Sequence, residues 1–178
     1  MLHPSSDLFK FYDSELAAAA ASFSISPVPQ GGVDLLVKWY LRSTAAVFVR
    51  ELQLRFNGDS GANYIWQYNL HSSTGAHTNA SGYGPEVQID PGRCPGGSSP
   101  ASAFGVGELL ICNYNKAVAH KATLSRFSQV VAYSAGNTMW GEGVGWWQNT
   151  AAITSLLLSS IAGSTFAIGS RVSAYVVL

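Results

Sequence analysis

Catalysis and metal binding need titratable side chains gathered into a cluster, and this chain offers few to gather. Its 178 residues include ten Lys/Arg, ten Asp/Glu and four His. His3, His71, His77 and His120 are scattered, and none has the His-x-x-x-His spacing that sets two ligands on one helix face. His71 and His77 bracket a turn and could share a metal, but no third ligand is evident nearby, so exposed loop histidines are the plainer reading. There is no Gly-x-Ser-x-Gly nucleophile elbow, no phosphate-cradling glycine loop and no dinucleotide fingerprint. Asp13 and Glu15 read as a solvated pair. Glu108 interrupts an apolar strand, where burial would raise its pKa; an outward or subunit-facing position is the simpler expectation. Asn57-Gly58-Asp59 with Asn63 offers oxygens to a cation, but calcium takes about six to eight, and a turn is the better reading. A glycosidase needs two carboxylates at a set separation, and the acids here are dispersed. The sequence therefore predicts no catalytic residues, no metal and no cofactor.

The remaining polar and aromatic candidates concern binding and packing. Cys94 and Cys112 are too few for a disulfide framework or a four-ligand zinc site. A single bridge between them is conceivable; one loop thiol at 94 and one buried strand thiol at 112 is favoured. Flat aromatic faces beside Asn, Gln and Asp stack on sugars and also anchor interfaces. Tyr83 and Trp140 are the candidates for ligand stacking. Trp146 and Trp147 are adjacent, so on a strand they must point to opposite faces.

The elements that would position these residues read as strand after strand. Val33, Leu35, Val37, Trp39 and Leu41 alternate with mostly polar neighbours, as do Leu52, Leu54 and Phe56. Asn57-Gly58-Asp59-Ser60-Gly61 is a strong turn signal, and Tyr64, Trp66, Tyr68 and Leu70 follow it, which predicts a hairpin closed by Asn57, Gly58, Asp59 and Asn63. Residues 72–102 are rich in Ser, Gly, Asn and Pro and read as a surface excursion with one weak strand near Glu86 to Asp90. Strand signals resume at Phe104 to Asn113, 122–133, Thr138 to Trp147, Ile153 to Leu158 and Phe166 to Val176, with a bulge or kink at Gly169-Ser170. Leu8 to Ala21 is the single helix candidate, and Ser22 to Ser26 an entering strand. The sum is an all-β chain: one antiparallel β-sandwich, jelly-roll-like, of about nine strands. Residues 1–15 form a leader or attachment arm and 16–178 the domain. The predicted core contains Trp39, Leu54, Phe56, Trp66, Ile111, Phe166 and Val172. Leu36, Tyr40 and Ile65 interrupt polar faces and are the candidate subunit contacts.

Composition narrows the function classes. Charged residues make up 11% of the chain, against about 25% for an average soluble domain. Acids and bases balance, so the basic excess of a nucleic-acid binder is missing. The apolar content excludes a disordered chain, and the run from Ala151 to Ala162 is too short and too hydroxylated to insert in a membrane. No basic n-region marks a signal peptide.

The order of motifs resembles a recurrent family of tailed-bacteriophage virion proteins, found as tail-fibre, minor tail and head-decoration proteins. The resemblance runs from about Leu16 to the C-terminus. It rests on Ser24-Ile25-Ser26-Pro27, Leu35 to Arg42, and Arg55-Phe56-Asn57-Gly58-Asp59-Ser60-Gly61-Ala62-Asn63-Tyr64. Gly107 to Tyr114, Lys121, Trp147 to Leu156 and Phe166 to Tyr175 continue it. Family members often end in Tyr-Gly-hydrophobic, and Tyr175-Val176-Val177-Leu178 departs from that. The resemblance implies a non-enzymatic β-sandwich of the virion, assembled in the host cytoplasm. It decorates the capsid or tail as a homo-oligomer, expected to be a homotrimer, and touches other virion proteins. A tail-fibre module recognising host-surface glycan is the alternative. A jelly-roll capsid protein of a non-tailed virus is a third reading.

Overall fold

A computed structural model of the chain describes residues 8–132 and 137–178. The described residues form twelve strands: β1 (Leu8–Glu15), β2 (Ser22–Ile25), β3 (Asp34–Leu41), β4 (Val49–Phe56), β5 (Tyr64–Ser72), β6 (His77–Glu86), β7 (Arg93–Pro95), β8 (Gly105–Ile111), β9 (Lys121–Ala132), β10 (Asn137–Trp147), β11 (Leu156–Ser160) and β12 (Arg171–Val177). Pairing is antiparallel throughout. Eight strands make one sheet in the order β1-β12-β3-β8-β9-β10-β5-β6, and four make the other, β2-β11-β4-β7. The two inner faces share one core, which makes the fold an antiparallel β-sandwich.

Period-two burial explains the layers. In β3, Leu35, Val37, Trp39 and Leu41 are buried; in β4, Leu52, Leu54 and Phe56 are. Ile111, Phe166 and Val172 are fully enclosed between the sheets. Trp147 packs on Phe56 across the gap, ring centroids 5.5 Å apart. Trp66 is only half-buried: it sits at the core margin and stacks on Tyr68. Trp39 lies so close to β8 that a Cβ at Gly107 would come within 2.2 Å of its ring. Gly107 is therefore a packing requirement of the indole.

Several elements differ from the sequence reading, each through long-range pairing. Twelve strands replace about nine. Residues 8–15 are an edge strand paired with β12, held by Asp13, which accepts from Arg171 at 2.8 and 2.6 Å and from Lys10 and Ser173. The helical propensity of Leu8 to Ala21 thus yields to the open edge of β12. β4 and β5 do not form a hairpin, because β4 pairs with β11 and β7 whereas β5 pairs with β10 and β6. Asn57 to Asn63 is consequently a corner between sheets. The 72–102 stretch is no loose excursion: β6 zips onto β5, Ile89 is buried and exchanges hydrogen bonds with Leu54, and β7 joins β4. Arg42 fastens its last part, donating to the carbonyls of Pro100, Ala103, Ser99 and Gly97. The cysteines exchange roles as well. Cys94 is the buried strand thiol, with burial pushing its pKa up to about 12, while the half-buried Cys112 sits in a turn. Both are free.

Candidate functional site: the outer face of the large sheet

Alternation that sends one set of side chains into the core sends the other outward. On the eight-stranded sheet this outer set falls into register rows. Lys38 of β3 stands opposite Glu108 of β8, Glu108 opposite Arg126 of β9, and Arg126 opposite Glu142 of β10. The row reads plus, minus, plus, minus across four neighbouring strands. Among the described residues none of these four side chains makes an ion pair within 4.0 Å. One row along, Tyr40, Val106, Ser128, Trp140, His71 and His77 follow one another from β3 to β6. Trp140 stacks on His71 at 4.1 Å, and His71 meets His77 edge-on at 4.0 Å. On the other side of the charges runs an apolar row: Tyr175, Leu36, Leu110, Leu124 and Val144. Beyond it Trp146 stands between Ala122 and Ile65.

Large apolar groups are conspicuous here. Tyr40, Val106, Leu124, Trp140 and Trp146 are each between 42% and 50% exposed. A concavity of about 500 Å3 opens between Trp140, Val106 and the four charges. The candidate contact residues Leu36, Tyr40 and Ile65 all lie on this face, and Trp140 borders the concavity. Tyr83 lies in β6, but its side chain is outside the described residues, as is His3. Glu108 proves to be one step of the charge row.

The Asn57-Gly58-Asp59-Asn63 motif lies elsewhere and is structural. Asn57 and Gly58 have φ of 53° and 69°, the left-handed region that Asn and Gly tolerate. The Asn57 side chain donates to Ala152 and accepts from the N–H groups of Thr154 and Ser155. Asp59 accepts from Trp147 Nε1 at 2.7 Å, from Gly61 N–H at 2.8 Å and from Asn63. These donors, Trp147 foremost, hold its carboxyl below the usual range. Each of these partners is an N–H donor, so the carboxylate ties its own turn to Trp147. Tyr64, whose hydroxyl pKa burial pushes up to about 12, accepts from Phe56 N–H and donates to the Asp59 carbonyl.

Two cations are buried, and no local pattern in the sequence marks either as an inside residue. Arg93 reaches Asp90, Glu51 and the Tyr68 hydroxyl and lies over the Tyr68 ring. Burial nevertheless raises the Asp90 carboxyl to about 6, against the pull of Arg93. Lys121 is fully buried and donates to the carbonyls of Lys116, Ala119 and Thr150. Burial lowers its pKa. No group of three or more His, Cys, Asp or Glu that could hold a metal ion occurs among the described residues.

Compared with family models, with curated proteins and with solved structures, the chain matches none.

Proposed function

We propose that the chain is a non-enzymatic structural protein of a bacteriophage virion, a β-sandwich that decorates the capsid or attaches to the tail as a homo-oligomer. The observation that carries this reading is the uncovered outer face of the large sheet, with Tyr40, Val106, Leu124, Trp140 and Trp146 gathered on it. Exposed apolar side chains collected on one face are what assembling proteins reserve for neighbours. The Arg55 to Tyr64 stretch and the other segments that resemble tailed-phage virion proteins supply the particle. The test is to raise antibodies to the chain and label purified particles, with protein mass spectrometry of the same particles. Labelling at regular capsid or tail positions is expected; absence from purified virions overturns the reading.

A second reading is a tail-fibre module that recognises host-surface glycan. Trp140, half exposed beside a concavity that also holds Glu142 and Arg126, favours it. Binding on a glycan array that is lost in Trp140→Ala would select this reading over pure decoration.

A further inference from the structure

We propose that the outer face of the eight-stranded sheet is a two-fold interface whose occupant is a second copy of this chain. The proposal deepens the homo-oligomeric part of the function proposed above and does not depend on the virion. Its basis is the order of charges on the face. From β3 to β10 the row reads Lys38, Glu108, Arg126, Glu142, each in register with the next. Reversed, plus-minus-plus-minus becomes minus-plus-minus-plus, so the row is complementary to its own reversal. A two-fold axis lying in the interface, parallel to the strands and between β8 and β9, performs that reversal. It sets Lys38 of one copy over Glu142 of the other, and Glu108 over Arg126. The same rotation lays Leu36 over Val144, Leu110 over Leu124 and Tyr40 over Trp140. Apolar groups then meet apolar groups on both sides of the charges, save that Val106 falls over Ser128. An axis running across the strands along this row would instead lay each charge on its own copy, like upon like.

Three further observations agree. The four charges make no ion pair within 4.0 Å among the described residues, so their side chains are open to pairing with a second copy. Five large side chains between 42% and 50% exposed, Tyr40, Val106, Leu124, Trp140 and Trp146, lie on this same face, on either side of the charges. The face is also wide enough. Eight strands about 4.8 Å apart and about seven residues long present roughly 900 Å2, close to the ~800 Å2 per partner of a standard interface. Face-to-face stacking of two such sheets is ordinary packing geometry, and isologous contacts are self-complementary by construction. A ring of three copies uses a heterologous contact and leaves this self-complementarity unused.

The experiment is light scattering and sedimentation of the full chain at micromolar concentration, with charge reversals at the outer pair. A dimer is expected, or a hexamer if trimers pair through this face. Lys38→Glu and Glu142→Lys, each alone, should weaken association about tenfold or more by setting like charges together. The double reversal K38E/E142K should restore it, because the two positions face each other only between copies. Within one chain the double reversal puts like charges beside Glu108 and beside Arg126, so rescue cannot come from the monomer. Circular dichroism melting confirms folding. Should a reversal fail to fold, Leu124→Ser at the centre of the face is expected to dissociate the assembly while keeping the fold. A monomeric wild type, with or without glycan binding, overturns both this proposal and the homo-oligomeric reading. A clean trimer overturns the two-fold face alone. Single reversals without effect, or a folded double variant that stays dissociated, also overturn it.

Discussion

Asp59 shows how one polar residue can tie distant parts of a β-sandwich together. Its carboxylate takes N–H groups from its own turn and from Trp147, 88 positions away. Trp147 is itself buried against Phe56. Asp59→Ala should therefore cost more than a turn: about 3 kcal/mol, since hydrogen bonds to a charged group are lost and the indole N–H is orphaned. The measurement is denaturant unfolding, and an unchanged midpoint would show the contact to be unimportant. The pH dependence follows from the lowered pKa. As pH falls below about 4, the unfolded chain protonates this group first, so its stabilising contribution is present at neutral pH and lost in acid. The turn was legible in the sequence, because Asn, Gly and Asp have local reasons to be there. The indole was not, because no local pattern joins positions 59 and 147.

At the scale of elements, the 72–102 stretch departs most from its sequence signature. Small polar residues suggest a loop, yet β6, Ile89 and β7 anchor it within the sandwich. Arg93 and Arg42 account for the difference, one under the stretch and one along its end. Each supplies several donors in a fixed fork, matched to carboxylates or backbone carbonyls. Arg93→Met should destabilise the fold by about 3–5 kcal/mol, because Asp90 is left buried without its cation. The same pair sets a second pH effect, opposite in sign to that of Asp59. With its folded pKa raised to about 6 from an ordinary 3.8, Asp90 holds a proton that the unfolded chain has released. Its contribution to stability is thus present at low pH and lost as pH rises from about 4 to 6. Asp90→Asn should remove that slope from a plot of unfolding free energy against pH. An identical slope in wild type and variant would place the titration elsewhere.

For the molecule as a whole, the low charge acquires a distribution. Arg93 and Lys121 are spent inside and Arg42 half-buried at the surface, holding carbonyls, a carboxylate and a phenol. Lys38, Glu108, Arg126 and Glu142 form one ordered row outside. The sheets are joined by the Asp59–Trp147 bond, the Arg93–Tyr68 contact and the shared apolar core. They should therefore unfold together. Tryptophan fluorescence and far-ultraviolet circular dichroism are expected to trace one coincident transition; separate midpoints would mean that the four-stranded sheet melts alone.

Local sequence was enough for the all-β class, the inward sets of β3, β4 and β12, the opposite facing of Trp146 and Trp147, and a tight turn at Asn57-Gly58. These depend on period-two alternation and on φ preferences, which act over a few residues. Tertiary structure alone decided which sheet β4 and β5 join, that Leu8–Glu15 closes onto β12, and that Lys38, Glu108, Arg126 and Glu142 line up. Nothing within any one of these strands links its charge to the other three. Register between strands brings them into a row, and register is fixed by core packing between segments as distant in sequence as β3 and β12.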